Sequence, residues 1–213
     1  MGVRPIWHVL NQLTAAVALL LLSPVILAVA LWVRTADGRG VLFVQDRAGR
    51  GGKPFRMLKF RSMVHGSVAM TAEMGIGDPF GLVENDPRIT RCGRILRRTS
   101  LDELPQLVNV LRGQMLLVGP RPDVLPQVAN YSAEDARRLE VKPGITGWAQ
   151  VNGRDDIDWP ERFRLDRWYI DHWSPRLDLR ILWMTVTGLH RGEPPVHVDD
   201  LNVKRAGDYG RAA

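Results

Sequence analysis

From Leu13 to Val33 the chain runs for 21 residues without a charge. A helix of about 20 such residues crosses the roughly 30 Å hydrocarbon core of a bilayer. Ser23-Pro24 interrupts the run near its middle. Four readings of it compete. As a signal peptide it has Arg4, an apolar core and a small-x-small site at Ala28–Ala30, but apolar sequence continues through Leu31, Trp32 and Val33. As a simple span it must tolerate Pro24 with few neighbouring helices to satisfy the freed carbonyl. As a helix–break–helix, each half, Leu13–Leu22 or Val25–Val33, would reach only about 15 Å and return to the side it entered. The proline removes a backbone donor, and the Ser23 hydroxyl can bond an exposed carbonyl. Arg4 before the run and Arg34, Arg39, Arg47 and Arg50 after it suit two cytoplasmic ends. The fourth reading is a buried core helix.

Charge narrows the partners. Lys and Arg number 29 against 23 Asp and Glu, a net charge of +6. The only lysines are Lys53, Lys59, Lys142 and Lys204; the other basic residues are arginines, which grip phosphates in a bidentate way. Nucleic acid, an anionic membrane face and phosphorylated small molecules all fit such a balance. The single cysteine, Cys92, excludes an intrachain disulfide and a cysteine-based zinc site. It reads as a small packed residue.

Beyond the apolar run, Val41, Phe43 and Val44, a Gly-rich turn and "PFRMLKFRSM" suggest a short hairpin with a basic edge. Residues 64–86 read as a flexible loop, followed by the cationic "DPRITRCGRILRR". In "TSLDELPQLVNVLRG", Leu101, Leu104, Val108 and Leu111 form a helical stripe, and Ser100 to Glu103 has the spacing of a capping box. "MLLVGPRPDVLPQ" is an apolar run broken by Gly119, Pro120 and Pro122. Residues 132–140 suggest a short helix, "KPGITGWAQVNGRDD" a Gly-punctuated loop, and "WPERFRLDRWYIDHW" and "RLDLRILWMTVTGLHR" two amphipathic helices. No dinucleotide or Walker fingerprint is present.

Asp102-Glu103 carries two meanings. Acidic residues in a first helical turn favour the helix dipole and complete a cap. Beside a dense arginine cluster, a carboxylate at a helix start can instead attack phosphorus, while its neighbour offers oxygen to Mg2+. Arg97, five residues upstream, would keep Asp102 ionised. Arg121 sits between two prolines that fix its backbone, which suits phosphate binding as well as a plain turn. Trp148 can pack or anchor at an interface. Phe163, Trp168, Tyr169, Trp173, Leu177, Ile181, Trp183 and Met184 suit a headgroup-level belt or ordinary core packing.

Taken in order, the Ser-Pro break, "KFRSM", "TSLDELPQLVNVLRGQMLLVGPRP" and "KPGITGWAQVNGR" closely resemble the monotopic polyprenyl-phosphate phosphoglycosyl transferases, the bacterial sugar transferase family, from about Arg4 to Gly188. The length is similar to that of its small members, which hold little more than the catalytic core. The resemblance implies transfer of a sugar 1-phosphate from a UDP-sugar to undecaprenyl phosphate, with release of UMP and a requirement for Mg2+. It implies that Asp102 attacks the β-phosphate to form a covalent phosphosugar intermediate, with Glu103 binding metal or assisting. It places Lys59, Arg97, Arg121 and Arg154 at the substrate phosphates, and Ser23 and Pro24 at the break of a re-entrant helix. One departure stands out: Asn11 occupies a position where the family often has an acid.

The expected fold is α/β, mostly α: a re-entrant membrane helix over residues 1–36, a catalytic domain with amphipathic surface helices over 37–190, and a loose tail over 191–213. The expected location is the cytoplasmic face of a bacterial inner membrane. Inner-membrane lipid is an expected partner, nucleic acid is not, and a homodimer is left open. The rival reading is a non-catalytic, membrane-tethered basic binding module. The transferred sugar is not legible.

Overall fold

The computed structural model describes residues 3–67, 69–70, 86–153 and 157–191. The chain divides into two compact units: residues 1–47 with 54–113, and 48–53 with 114–213. The elements of the first unit are α1 (Val3–Ala36), β1 (Leu42–Ala48, of which Ala48 falls in the second unit), β2 (Pro54–Phe60), α2 (Arg91–Arg98), a 3-10 turn (Leu101–Glu103) and α3 (Gln106–Leu111). The second unit holds β3 (Leu116–Val118), α4 (Leu125–Val128), a 3-10 turn (Asp135–Glu140), β4 (Gly144–Thr146), α5 (Trp148–Val151), α6 (Trp159–Asp171) and α7 (Pro175–Arg191). The tail expected over 191–213 lies outside the described residues save Arg191, as does most of the loop expected over 64–86.

α1 is an unbroken helix of 34 residues with Pro24 inside it. The sequence suggested two helical halves; the structure keeps one helix, and Ser23 Oγ donates to the Leu20 carbonyl at 2.8 Å beside the proline. One stripe of α1 is covered from Asn11 and Ala15 to Val29 and Val33. Its other faces leave Leu13, Leu20, Leu21, Leu27 and Leu31 bare. Such a length of exposed leucine is stable in hydrocarbon rather than in water. α1 is the one helix among the described residues long and apolar enough to cross a membrane.

Val29 and Val33 pack with Phe60 of β2 and with Cys92 and Leu96 of α2. Cys92 is thus a packed residue, and burial pushes its thiol pKa up. α2 starts where Thr90 accepts a bond from the Gly93 amide, the usual N-cap geometry. Gly93 is required by contact: a Cβ there would fall 1.9 Å from the Ser62 carbonyl oxygen. The expected hairpin forms as β1 and β2.

In the second unit β3 and β4 pair in parallel, Leu116 opposite Gly144 and Val118 opposite Thr146. A Cβ on Gly144 would meet the Gly119 amide at 2.1 Å, so glycine permits the close approach. The segment read as a Gly-punctuated loop therefore contains a strand and a short helix. Trp148 on α5 is core, stacked on Trp168 with centroids 5.1 Å apart. Leu165, Tyr169, Ile181 and Met184 of α6 and α7 close the same cluster. Tyr169 donates to Asp178 at 2.7 Å, tying α6 to α7. The aromatic pattern thus divides: Tyr169, Ile181 and Met184 are buried, whereas Trp183 is 70% exposed.

Candidate active site

The dyad is built by a reversal of the chain. α2 ends at Arg98 and is capped by Thr99, whose hydroxyl donates back to the carbonyls of Ile95 (2.8 Å) and Leu96 (3.2 Å). Ser100 then takes a left-handed conformation, φ 55°, alone among the described non-glycine residues. Such a backbone is costly without glycine and marks a site where surrounding structure fixes the chain. Asp102 and Glu103 follow in a three-residue 3-10 turn, and α3 begins only after Pro105.

This corrects the capping-box reading. The Ser100 side chain makes no cap bond. Glu103 faces Lys59 of β2, with Nζ to Oε1 at 2.8 Å and both side chains about 15% exposed. Nor is the dyad the first turn of a long helix: α3 has six residues, too few for a strong dipole. The predicted stripe shifts as well. Leu107 and Val110 are buried while Leu111 is exposed, because the fully buried Asn109 faces β2. Its Oδ1 accepts from the Leu58 amide at 3.0 Å and its Nδ2 donates to the Arg56 carbonyl at 2.8 Å. Asn109 therefore locks the strand next to Lys59, a role its place in a leucine-rich stretch did not reveal.

Asp102 is 5% exposed. Arg97 lies on the last turn of α2 in the same unit, with its side chain exposed. Nearby, Asp86 is held below the usual carboxylate range, first by its hydrogen bonds from Arg88 and in smaller part by the charge of Arg97. Among the described residues no group of three or more His, Cys, Asp or Glu forms a ready metal cage. Mg2+ is commonly bound by only one or two carboxylates plus substrate phosphates. The adjacent, oxygen-only side chains of Asp102 and Glu103 fit that share of a shell.

Arg121 belongs to the second unit, in a loop held at three residues. The Pro120 carbonyl accepts from the Gly144 amide at 3.0 Å, the Arg121 carbonyl from Arg138 Nη2 at 3.1 Å, and the Asp123 carbonyl from the Ala48 amide at 2.9 Å. A cleft opens beside it, lined by Gly49, Arg121, Asp123, Tyr131, Arg138 and Pro143. Arg154 lies outside the described residues. Asn11 is 5% exposed, with its Nδ2 donating to the Trp7 carbonyl at 2.9 Å. A neutral amide suits that place, since a buried carboxylate would need a partner charge.

The first unit thus joins a long apolar helix, suited to a membrane, to two adjacent carboxylates of which Glu103 is paired with Lys59. The bacterial sugar transferase family matches residues 4–192, and the chain belongs to it. The chain is 49% identical over 179 residues to the uncharacterized sugar transferase EpsL of Bacillus subtilis, covering 83% of this chain and 84% of that one. It is 38% identical over 197 residues to the exopolysaccharide production protein ExoY of Rhizobium meliloti, covering 87% of each. It is 44% identical over 176 residues to the undecaprenyl-phosphate galactose phosphotransferase of Salmonella typhimurium, covering 78% of this chain but 37% of that longer protein.

Proposed function

We propose that the chain transfers a sugar 1-phosphate from a UDP-sugar to undecaprenyl phosphate at the cytoplasmic face of the inner membrane. The observation that carries this reading is the dyad: Asp102 beside Glu103 on a turn fixed by Ser100, with Lys59 paired to Glu103. The names of the Salmonella relative and of an E. coli relative, the UDP-glucose:undecaprenyl-phosphate glucose-1-phosphate transferase, support it.

In this reading an Asp102 oxygen attacks the β-phosphorus, the bond from that phosphorus to the bridging oxygen breaks, and UMP leaves with the electron pair. An oxygen of the lipid phosphate then attacks the same phosphorus and Asp102 departs as a carboxylate, giving the diphosphate-linked lipid. Glu103, oriented by Lys59, and Asp102 would hold Mg2+, which when bound neutralises phosphate charge. Arg97, Arg121 and Arg154 bind and orient the phosphates, where fixed positive groups favour the charge of the transition state. The test is UMP release from a panel of UDP-sugars with undecaprenyl phosphate. Asp102→Asn should lose activity by at least about 10³-fold with an unchanged melting temperature; activity within tenfold of the wild type would remove Asp102 from this role.

A re-entrant course for α1 belongs to the same reading. The two ends of the apolar run engage one polar unit: Gln12 donates to the Leu111 carbonyl at 3.0 Å, and Val29 and Val33 are buried against β2 and α2. A full crossing would leave one end about 30 Å from the face that holds the other. With Gly2→Cys, an impermeant maleimide should label inverted vesicles and spare intact spheroplasts. Labelling of intact spheroplasts would establish a span instead.

A further inference from the structure

Arg138, on the 3-10 turn Asp135–Glu140, is 4% exposed. Its guanidinium serves acceptors from three other stretches of the second unit. Nε and Nη2 each reach Asp166 Oδ2 at 2.8 Å. Nη1 donates to the Asp123 carboxylate and to Tyr131 Oη, the latter at 2.5 Å, and Tyr131 Oη itself donates to Asp123. Nη2 donates to the Arg121 carbonyl at 3.1 Å. The group lies over the Phe163 ring, 4.6 Å from its centroid.

A buried ion cluster is weak evidence for a purely stabilising role, because apolar replacements of equal volume often do as well. Its one uncharged backbone acceptor is informative. The peptide between Arg121 and Pro122 has no N–H, so its plane can be anchored only through the Arg121 carbonyl, the atom that Arg138 holds. Two residues on, the same guanidinium holds Asp123. The five N–H groups of the planar fork reach the carbonyl, the phenol and the two carboxylates at once; a lysine, with three donors and no fixed fork, cannot hold them all in this geometry.

We propose that Arg138 is a positioning residue that aims the Arg121 side chain at the phosphates of the nucleotide donor, by holding the Arg121 carbonyl and the Asp123 carboxylate together. This rests on the reading of Arg121 as a phosphate-binding residue. A stabilising residue would act on donor binding independently of Arg121, whereas a residue acting through Arg121 loses its effect once that side chain is gone.

The test is a double-mutant cycle on UDP affinity, measured by calorimetry in detergent with Mg2+, on wild type, Arg121→Ala, Arg138→Lys and the double variant. Arg138→Lys should weaken UDP binding about tenfold in the wild-type background and less than about twofold in the Arg121→Ala background. Tyr131→Phe keeps both charges and the fold should the lysine variant not express; it should weaken binding about threefold, again only when Arg121 is present. Equal weakening in both backgrounds, or none in either, with Arg121→Ala itself defective, would overturn the positioning role alone. An Arg121→Ala protein that binds UDP like the wild type would overturn the phosphate reading of Arg121, and this inference with it.

Discussion

The Lys59–Glu103 pair and the Arg138–Asp123–Asp166 triad are both ionic groupings of largely buried side chains, but they are built in opposite ways. The first brings a lysine to a carboxylate at 2.8 Å, both about 15% exposed, with the carboxylate on a turn entered through the left-handed Ser100. The second surrounds an arginine with two carboxylates, a phenol, a backbone carbonyl and an aromatic face, and buries nearly all of it. A lysine is a compact charge on a flexible stem, while a guanidinium is a rigid fork. Glu103 is thus paired with a group that, under the proposed function, could follow its carboxylate as charge moves. The Arg121 loop is held by one that cannot move without breaking several bonds.

The contrast can be broken most forcefully at Arg138. Arg138→Met leaves Asp123 and Asp166 buried without the cation they share and should cost about 3–5 kcal/mol of stability, read as a fall in the urea midpoint. A loss under about 1 kcal/mol would mean that the cluster is not the rigid frame described. Lys59→Met should show the reverse balance. Its kcat/KM should fall about 100-fold while stability drops by about 1–3 kcal/mol. A variant that loses stability but keeps its turnover would assign Lys59 to the fold rather than to the chemistry.

The smallest effect sharpens the charge accounting within the cluster. Burial lifts Asp166 to about 6, against the pull of Arg138, and Asp123 competes for the same guanidinium. Arg162 also acts on it as a cation, and burial keeps Tyr131 protonated well above its usual range. A carboxyl raised from its ordinary 3.8 binds its proton more tightly in the folded state. Its contribution is therefore fully present below the unfolded value and is lost as pH rises through about 6. The loss should be on the order of 2–3 kcal/mol. Asp166→Asn should flatten the fall in stability between roughly pH 4 and 6; an unchanged slope would show that Asp166 stays ionised against Arg138.

Much of this was legible because it is local. The apolar run of α1, the alternation of β2, the periodicity of α6 and α7 and the packed Cys92 each follow from spacing within a few residues. The dyad stood out by its neighbours. What sequence hid is what distance in the chain creates. Ser100 to Glu103 has a capping spacing, but Lys59, 44 residues away, takes the glutamate. Trp148 looked like a loop residue because the parallel pairing of β3 with β4 cannot be read from either alone. Arg138 draws its partners from 15 residues before it and 28 after it, and no local pattern announces such a cluster. The Ser-Pro pair foretold a break in secondary structure; the helix instead continues, with Ser23 bonded to the Leu20 carbonyl, so a bend rather than an interruption is what that pair can supply.

The most direct measurement of the central claim is intact mass spectrometry of the purified protein, mixed with Mg2+ and a panel of UDP-sugars in the absence of lipid acceptor. The account predicts a mass increase equal to one sugar phosphate with the true donor, absent in Asp102→Asn. An unmodified protein with a donor that nevertheless yields UMP and lipid product once undecaprenyl phosphate is added would contradict a covalent intermediate on Asp102.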